Sequence, residues 1–111
     1  MTRPRSIRPA SGPLSATVVV PGSKSIANRA LVCAALASGV SAIVGVPDGD
    51  DSQAMAAGLR ALGVEVTIDG DLAIVRGVRG SIDAPPGTTV DCALAGTTSR
   101  FLTAVASLSA K

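Results

Sequence analysis

A chain of 111 residues, 47% hydrophobic and 16% charged, carries the apolar material for one small core and too little charge for a disordered chain. With no His, Trp or Tyr, one Phe and two Cys, it excludes a His general base, a Ser-His-Asp triad, a structural zinc site made from its own residues, and base stacking on aromatic platforms. The net charge of +2 is too small for a dense basic face, so ligand chemistry must rest on Lys, Arg, hydroxyls and backbone amides.

Residues 1–15 read as a flexible basic tail, because Arg3, Arg5 and Arg8 stand among Pro, Ser and Gly, a composition that frays. The body beyond them lacks a basic patch, so no nucleic acid is expected as a partner. No run approaches the roughly 18 uninterrupted apolar residues of a membrane span. The N-terminus has no apolar export segment, and its prolines break the helix a mitochondrial presequence needs. A cytoplasmic protein without membrane contact is expected.

Ala16–Val20 is β-branched and ends at Pro21-Gly22, which predicts a strand and a turn. Ser23 or Ser25 is placed to cap a helix running to about Ala37, with Ile26, Ala30, Leu31, Ala34, Ala35 and Leu36 on its apolar side and Gly39 as its stop. Ser41–Val46 predicts a second, buried strand. Asp50 or Asp51 is expected to cap a second helix to Leu62, ended by Gly63, with Met55 in the core. Val64–Ile68 and Leu72–Val75 alternate around Asp69-Gly70-Asp71 and predict a β-hairpin. Gly77–Gly87 reads as loop and Val90–Ala93 as a short strand. Gly96-Thr97 then opens a helix through Leu108, with Thr97 or Thr98 as cap. Cys33 and Cys92 lie among small apolar residues and are expected as buried, reduced thiols. The element order is β-α-β-α-β-β followed by β-α begun and not finished, an α/β fold. A last helix of Ala, Val, Leu and Phe101 without a Gly or Pro stop suggests a piece of a longer protein.

Two loops carry the chemistry. In Pro21-Gly22-Ser23-Lys24-Ser25-Ile26-Ala27-Asn28-Arg29, a strand-to-helix turn points backbone N–H groups outward where the helix dipole favours negative charge. Lys24 adds a mobile cation there and Ser25 a hydroxyl donor. Arg29, four residues on, falls on the same helix face. Cations at a helix N-terminus oppose the dipole, so stability alone does not select them. The loop is not a Walker P-loop, which needs Gly-x-x-x-x-Gly-Lys-Ser/Thr. In Leu94-Ala95-Gly96-Thr97-Thr98-Ser99-Arg100, Gly96 permits close backbone approach by a ligand and Arg100 puts another cation in a first turn. Asp50-Asp51 could form a carboxylate pair, but the capping reading is the stronger.

At these residues the chain resembles the N-terminal part of the 5-enolpyruvylshikimate-3-phosphate synthase family of enolpyruvyl transferases. The resemblance is carried by Val20-Pro21-Gly22-Ser23-Lys24-Ser25-x-x-Asn28-Arg29-Ala30-Leu31, Asp50-Asp51, Ala61-Leu62-Gly63-Val64 and Ala95-Gly96-Thr97-x-x-Arg100. It implies an inside-out α/β barrel built of β-α-β-α-β-β repeats. The partial N-terminal lobe would span 16–111, with a first repeat over about 16–80 and the start of a second over about 88–111. The implied reaction moves the enolpyruvyl group of phosphoenolpyruvate onto the 5-hydroxyl of shikimate 3-phosphate, through a tetrahedral intermediate and without metal or organic cofactor. It is a step of the shikimate pathway towards chorismate and the aromatic amino acids.

By position, the resemblance implies that Lys24, Ser25 and Arg29 bind shikimate 3-phosphate, and that Lys24 and Gly96 bind phosphoenolpyruvate. Asn28, Thr97 and Arg100 support the loops. The family's proton-transferring Asp, Lys and Glu match positions beyond residue 111, so this piece holds no catalytic residue and is expected to be inactive alone. Without the C-terminal lobe its apolar faces are expected to self-associate. Two departures, Leu94 where many members have Asn and Phe101 where many have Pro, flank the position at which glyphosate competes with phosphoenolpyruvate. Two other readings stay open: a fragment of UDP-N-acetylglucosamine enolpyruvyl transferase, whose members usually carry Asn after the lysine, and a non-catalytic anion-binding module.

Overall fold

The computed structural model describes residues 2–109; the ends of the expected tail and lobe, Met1, Ala110 and Lys111, lie outside the described residues. The described residues form three helices, α1 (Lys24–Leu36), α2 (Asp50–Ala61) and α3 (Gly96–Ala106), and three strands, β1 (Val40–Val44), β2 (Glu65–Asp69) and β3 (Leu72–Arg76). The strands form one antiparallel sheet in the order β1-β3-β2. β3 is central: Val40 stands opposite Arg76 and Val44 opposite Leu72, while Glu65 pairs with Arg76 and Asp69 with Leu72 on the other side. The predicted hairpin is therefore present, and its inward residues Val66, Ala73 and Val75 are buried, as the two-residue period of a half-buried strand requires.

Helices cover that face. In α1, Ala27, Leu31, Ala34 and Ala35 recur at helical spacing and are buried; in α2, Met55, Ala56 and Leu59 do the same. Leu102 and Val105 of α3 complete the cluster. Gly58 marks the closest approach, since a Cβ there would collide with the Leu102 side chain of α3. Gly63 ends α2 with a φ of +92°, a conformation that L side chains rarely adopt. The Arg60 Nε then donates to the Val66 carbonyl at 2.7 Å, tying the last turn of α2 to β2. At the end of α1, Val78 N–H donates to Ala35 O at 2.8 Å and Arg79 N–H to Ala37 O at 3.0 Å. The loop after β3 thus satisfies carbonyls that the helix end leaves unpaired.

Several expectations need correction. Ala16–Val20 is no strand: it is fully exposed and unpaired among the described residues, because β-branched residues extend a chain but only a partner ladder makes a strand. The observed order is accordingly α-β-α-β-β-α. Val90–Ala93 forms no strand but leads into a turn at Ala93-Leu94, where Ala93 N–H donates to Asp91 Oδ1 at 2.8 Å and Ala95 N–H to Cys92 O at 3.0 Å. That aspartate turn competes successfully with extended backbone. The β1 strand is half-buried rather than buried, with Val44 77% exposed, because it lies at the sheet edge and one of its faces has no helix over it. Ile26 points outward, and α3 ends at Ala106 rather than Leu108. Cys33 is exposed and Cys92 half-buried, both as free thiols; Cys33 sits on the outer side of α1, opposite Leu31 and Ala35.

Candidate functional site

Loop 1 is set by two contacts. A Cβ on Gly22 would collide with the Gly45 carbonyl oxygen, so only glycine lets this turn lie against the end of β1. Ser23 then caps α1: Ile26 N–H donates to its Oγ at 3.3 Å and Ala27 N–H to its carbonyl at 2.9 Å. Lys24 and Ser25 follow in the exposed first turn.

Lys24 does not stand alone. Its Nζ lies 3.0 Å from Asp51 Oδ2 in the first turn of α2. Asp51 is therefore not the cap the sequence suggested. Gly49 holds the N-cap position of α2, which has no side-chain cap bond. Both carboxylates still favour that helix through its dipole, but Asp51 also takes Lys24. The same residues, with Pro47–Ser52, line a cavity of about 380 Å³. A larger cavity of about 490 Å³ lies between the start of α2 and the turn before α3, lined by Asp50, Asp51, Asp91 and Leu94 among others. Of the candidate cations only Lys24 lines either cavity. The larger has three aspartates and no cation in its lining, which does not suit an anion.

Arg29 Nη1 donates to the Ser25 carbonyl one turn back at 3.0 Å. Its guanidinium carbon stands over the Phe101 ring, 5.6 Å from the centroid, which links α1 to α3. Loop 2 enters α3 through Ala95 at the N-cap, with no side-chain cap bond. This corrects the expectation of a threonine cap: Thr97 is exposed, and Thr98 is turned into the interior. The first N–H groups of α3 are thus left without a side-chain acceptor, the arrangement that makes a helix N-terminus attractive to anions. Gly96 opens that turn. A Cβ there would meet nothing within 4 Å, and its φ lies outside the left-handed region. Neither packing nor backbone demands glycine. Arg100 is exposed and without a hydrogen bond or ion pair among the described residues.

The three helices share one further feature. Each buries a polar side chain early in its course, Asn28 in α1, Ser52 in α2 and Thr98 in α3, and Asn28 Oδ1, Ser52 Oγ and Thr98 Oγ1 have no hydrogen-bond partner among the described residues. The structure thus links Arg29 to Ser25 on α1 and to Phe101 on α3, while Lys24 turns to Asp51 of α2. Asp51 and Phe101 were not legible as partners, because both contacts cross between helices and no sequence spacing reports them. Among the described residues no group of three or more His, Cys, Asp or Glu is placed to hold a metal ion, and no helix is long and apolar enough to cross a membrane.

Comparison with known proteins shows the family and the fold. A profile of EPSP synthase (3-phosphoshikimate 1-carboxyvinyltransferase) matches residues 9–111. The 3-phosphoshikimate 1-carboxyvinyltransferase of Rhizobium leguminosarum bv. trifolii is 44% identical over 103 residues, 93% of this chain and 24% of that protein. The enzyme of the same name from Burkholderia lata is 48% identical over 92 residues, 81% of this chain and 20% of that one. The structure of EPSP synthase from Acinetobacter baumannii superposes with a TM-score of 0.71 at 26% identity, covering 79% of this chain and 20% of that one. The chain therefore spans only about a quarter of the length of the relatives it matches. With a family profile covering nearly its whole length and the enolpyruvyl transferase fold beneath it, the chain belongs to the EPSP synthase (3-phosphoshikimate 1-carboxyvinyltransferase) family.

Proposed function

We propose that this chain is the N-terminal portion of an enzyme that transfers the enolpyruvyl group of phosphoenolpyruvate to the 5-hydroxyl of shikimate 3-phosphate, releasing phosphate. The observation that carries the reading is the pairing of two anion-facing helix starts. Lys24, Ser25 and Arg29 stand at the beginning of α1, and Gly96 opens the uncapped start of α3. Both substrates are phosphorylated acids, and two such sites suit them.

In this reading Ser25 and Arg29 hold shikimate 3-phosphate. Lys24 serves both substrates, leaving Asp51 to do so. Gly96 lets phosphoenolpyruvate approach the backbone N–H groups of α3, while Asn28, Thr97 and Arg100 shape the two loops and their charge. These groups bind and orient. The proton transfers of the addition and elimination steps belong to residues outside this chain, in a cytoplasmic enzyme needing no metal or organic cofactor. The basic tail over 1–15 and a partial lobe over 16–111, holding one repeat and the start of the next, are part of the same reading. The exposed Val18, Val19, Val20 and Val44 support a further lobe of the same enzyme lying against this one, and self-association of the chain when separate.

The test is to read the gene past residue 111 and express the whole reading frame beside the 111-residue chain. The whole protein is expected to release phosphate from phosphoenolpyruvate only when shikimate 3-phosphate is present, and to ignore UDP-N-acetylglucosamine. The short chain is expected to show no turnover. In the whole protein Lys24→Met is expected to cut turnover at least tenfold while stability changes by under about 1 kcal/mol, since Lys24 is exposed and Asp51 only half-buried. Near-normal turnover in that variant would remove Lys24 from the site.

A further inference from the structure

Arg29 is held on two sides by groups that orient it without neutralising it. One is the Ser25 carbonyl, which accepts from Nη1 at 3.0 Å. The other is the face of Phe101, 5.6 Å from the guanidinium carbon. Phe101 is the single aromatic residue in the chain. It is half-buried and packed against the hydrophobic core, in the second turn of α3. The contact differs in kind from the one that Lys24 makes. Asp51 gives Lys24 a full counter-charge, whereas a ring offers only the negative face of its quadrupole and a carbonyl only a dipole. Arg29 therefore keeps its whole positive charge and most of its five N–H donors. The planar group nevertheless loses much of the rotamer freedom that an unrestrained arginine surrenders on binding.

We propose that Phe101 is a positioning residue. Its ring, anchored in the α3 packing, holds the Arg29 guanidinium in the orientation in which its fork meets the phosphate or carboxylate of a substrate. This inference rests on the substrate-binding reading given above and deepens it, by making the orientation of an α1 cation depend on α3. It also gives a role to a position where the sequence departs from the Pro that many family members carry.

The test compares Phe101→Leu, Phe101→Trp and pentafluorophenylalanine at position 101 in the protein expressed from the whole reading frame, with thermal melting as the check on folding. Leucine removes the ring while keeping an apolar side chain, tryptophan strengthens the negative face, and the fluorinated ring keeps the shape of Phe but reverses its quadrupole. Calorimetric titration with shikimate 3-phosphate is expected to show Kd raised about two- to fivefold by leucine and by the fluorinated ring, and unchanged or lowered by tryptophan. On an Arg29→Ala background the Phe101→Leu effect is expected to vanish, which a purely structural role would not produce. Should leucine prevent folding, the fluorinated ring and tryptophan decide between the outcomes. Equal affinities across the series, or a leucine effect that survives Arg29→Ala, would overturn the positioning role and leave the function standing. A wild-type protein without affinity for shikimate 3-phosphate would overturn the function and this role together.

Discussion

Lys24 and Arg29 lie five residues apart in one helix, yet their neighbours treat them differently. Asp51 of α2 neutralises Lys24, its Oδ2 3.0 Å from Nζ, so an incoming anion must compete with a carboxylate for it. Arg29 faces no such competitor among the described residues. Both cations were legible in the sequence as a basic pair opening a helix, but their partners were not. Gly96 shows the opposite case, a residue whose reason is absent from the folded chain. With nothing within 4 Å of the point a Cβ would occupy and no left-handed φ, Gly96→Ala is expected to leave the stability measured by urea denaturation within about 0.5 kcal/mol of wild type. The added methyl would project into the space that the proposed phosphoenolpyruvate site uses, so in the whole protein its KM is expected to rise severalfold. An unchanged KM would show that the ligand does not approach there.

Helices and the hairpin follow from local chemistry, and most were readable from apolar spacing. Local chemistry does not set which side of an element finds a neighbour. Ile26 has the spacing of a core residue, yet it is 70% exposed while Leu31 is wholly buried. A glycine inside a helix lowers helix propensity, but Gly58 lies where α2 meets Leu102 and Val90. These two positions make a paired prediction. Gly58→Ala, a change that helps an exposed helix, is expected to destabilise the protein by about 1–3 kcal/mol through overpacking. Ile26→Ser is expected to stay within about 0.5 kcal/mol, like other exposed substitutions. Chemical denaturation of both variants checks the pair, and the reverse ranking would show that the helix packing is misassigned.

At the scale of the whole molecule the chain is long for its size. Its radius of gyration is 18.5 Å, with extents of 63 × 36 × 20 Å, against about 13 Å for a compact domain of 100 residues. The excess lies at the N-terminus, where every described residue before Ala27 is exposed. Removing residues 1–15 is expected to lower the radius measured by small-angle scattering towards that of a compact domain, and to leave the denaturation midpoint unchanged. A loss of stability would show that the tail packs on the body.

From its sequence alone this protein is fixed as an α/β chain with two glycine-bearing turns that lead cations into helices, and its motifs match one enzyme family along nearly all of its length. Those properties are local, set by turn chemistry, capping residues and apolar period within a dozen positions. Tertiary structure alone decided that Ala16–Val20 finds no strand partner here, that Asp51 answers Lys24, that Thr98 turns inward instead of capping, and that Phe101 sits beneath Arg29. Each of these depends on how separate elements meet, and spacing along one element carries no record of what will face it.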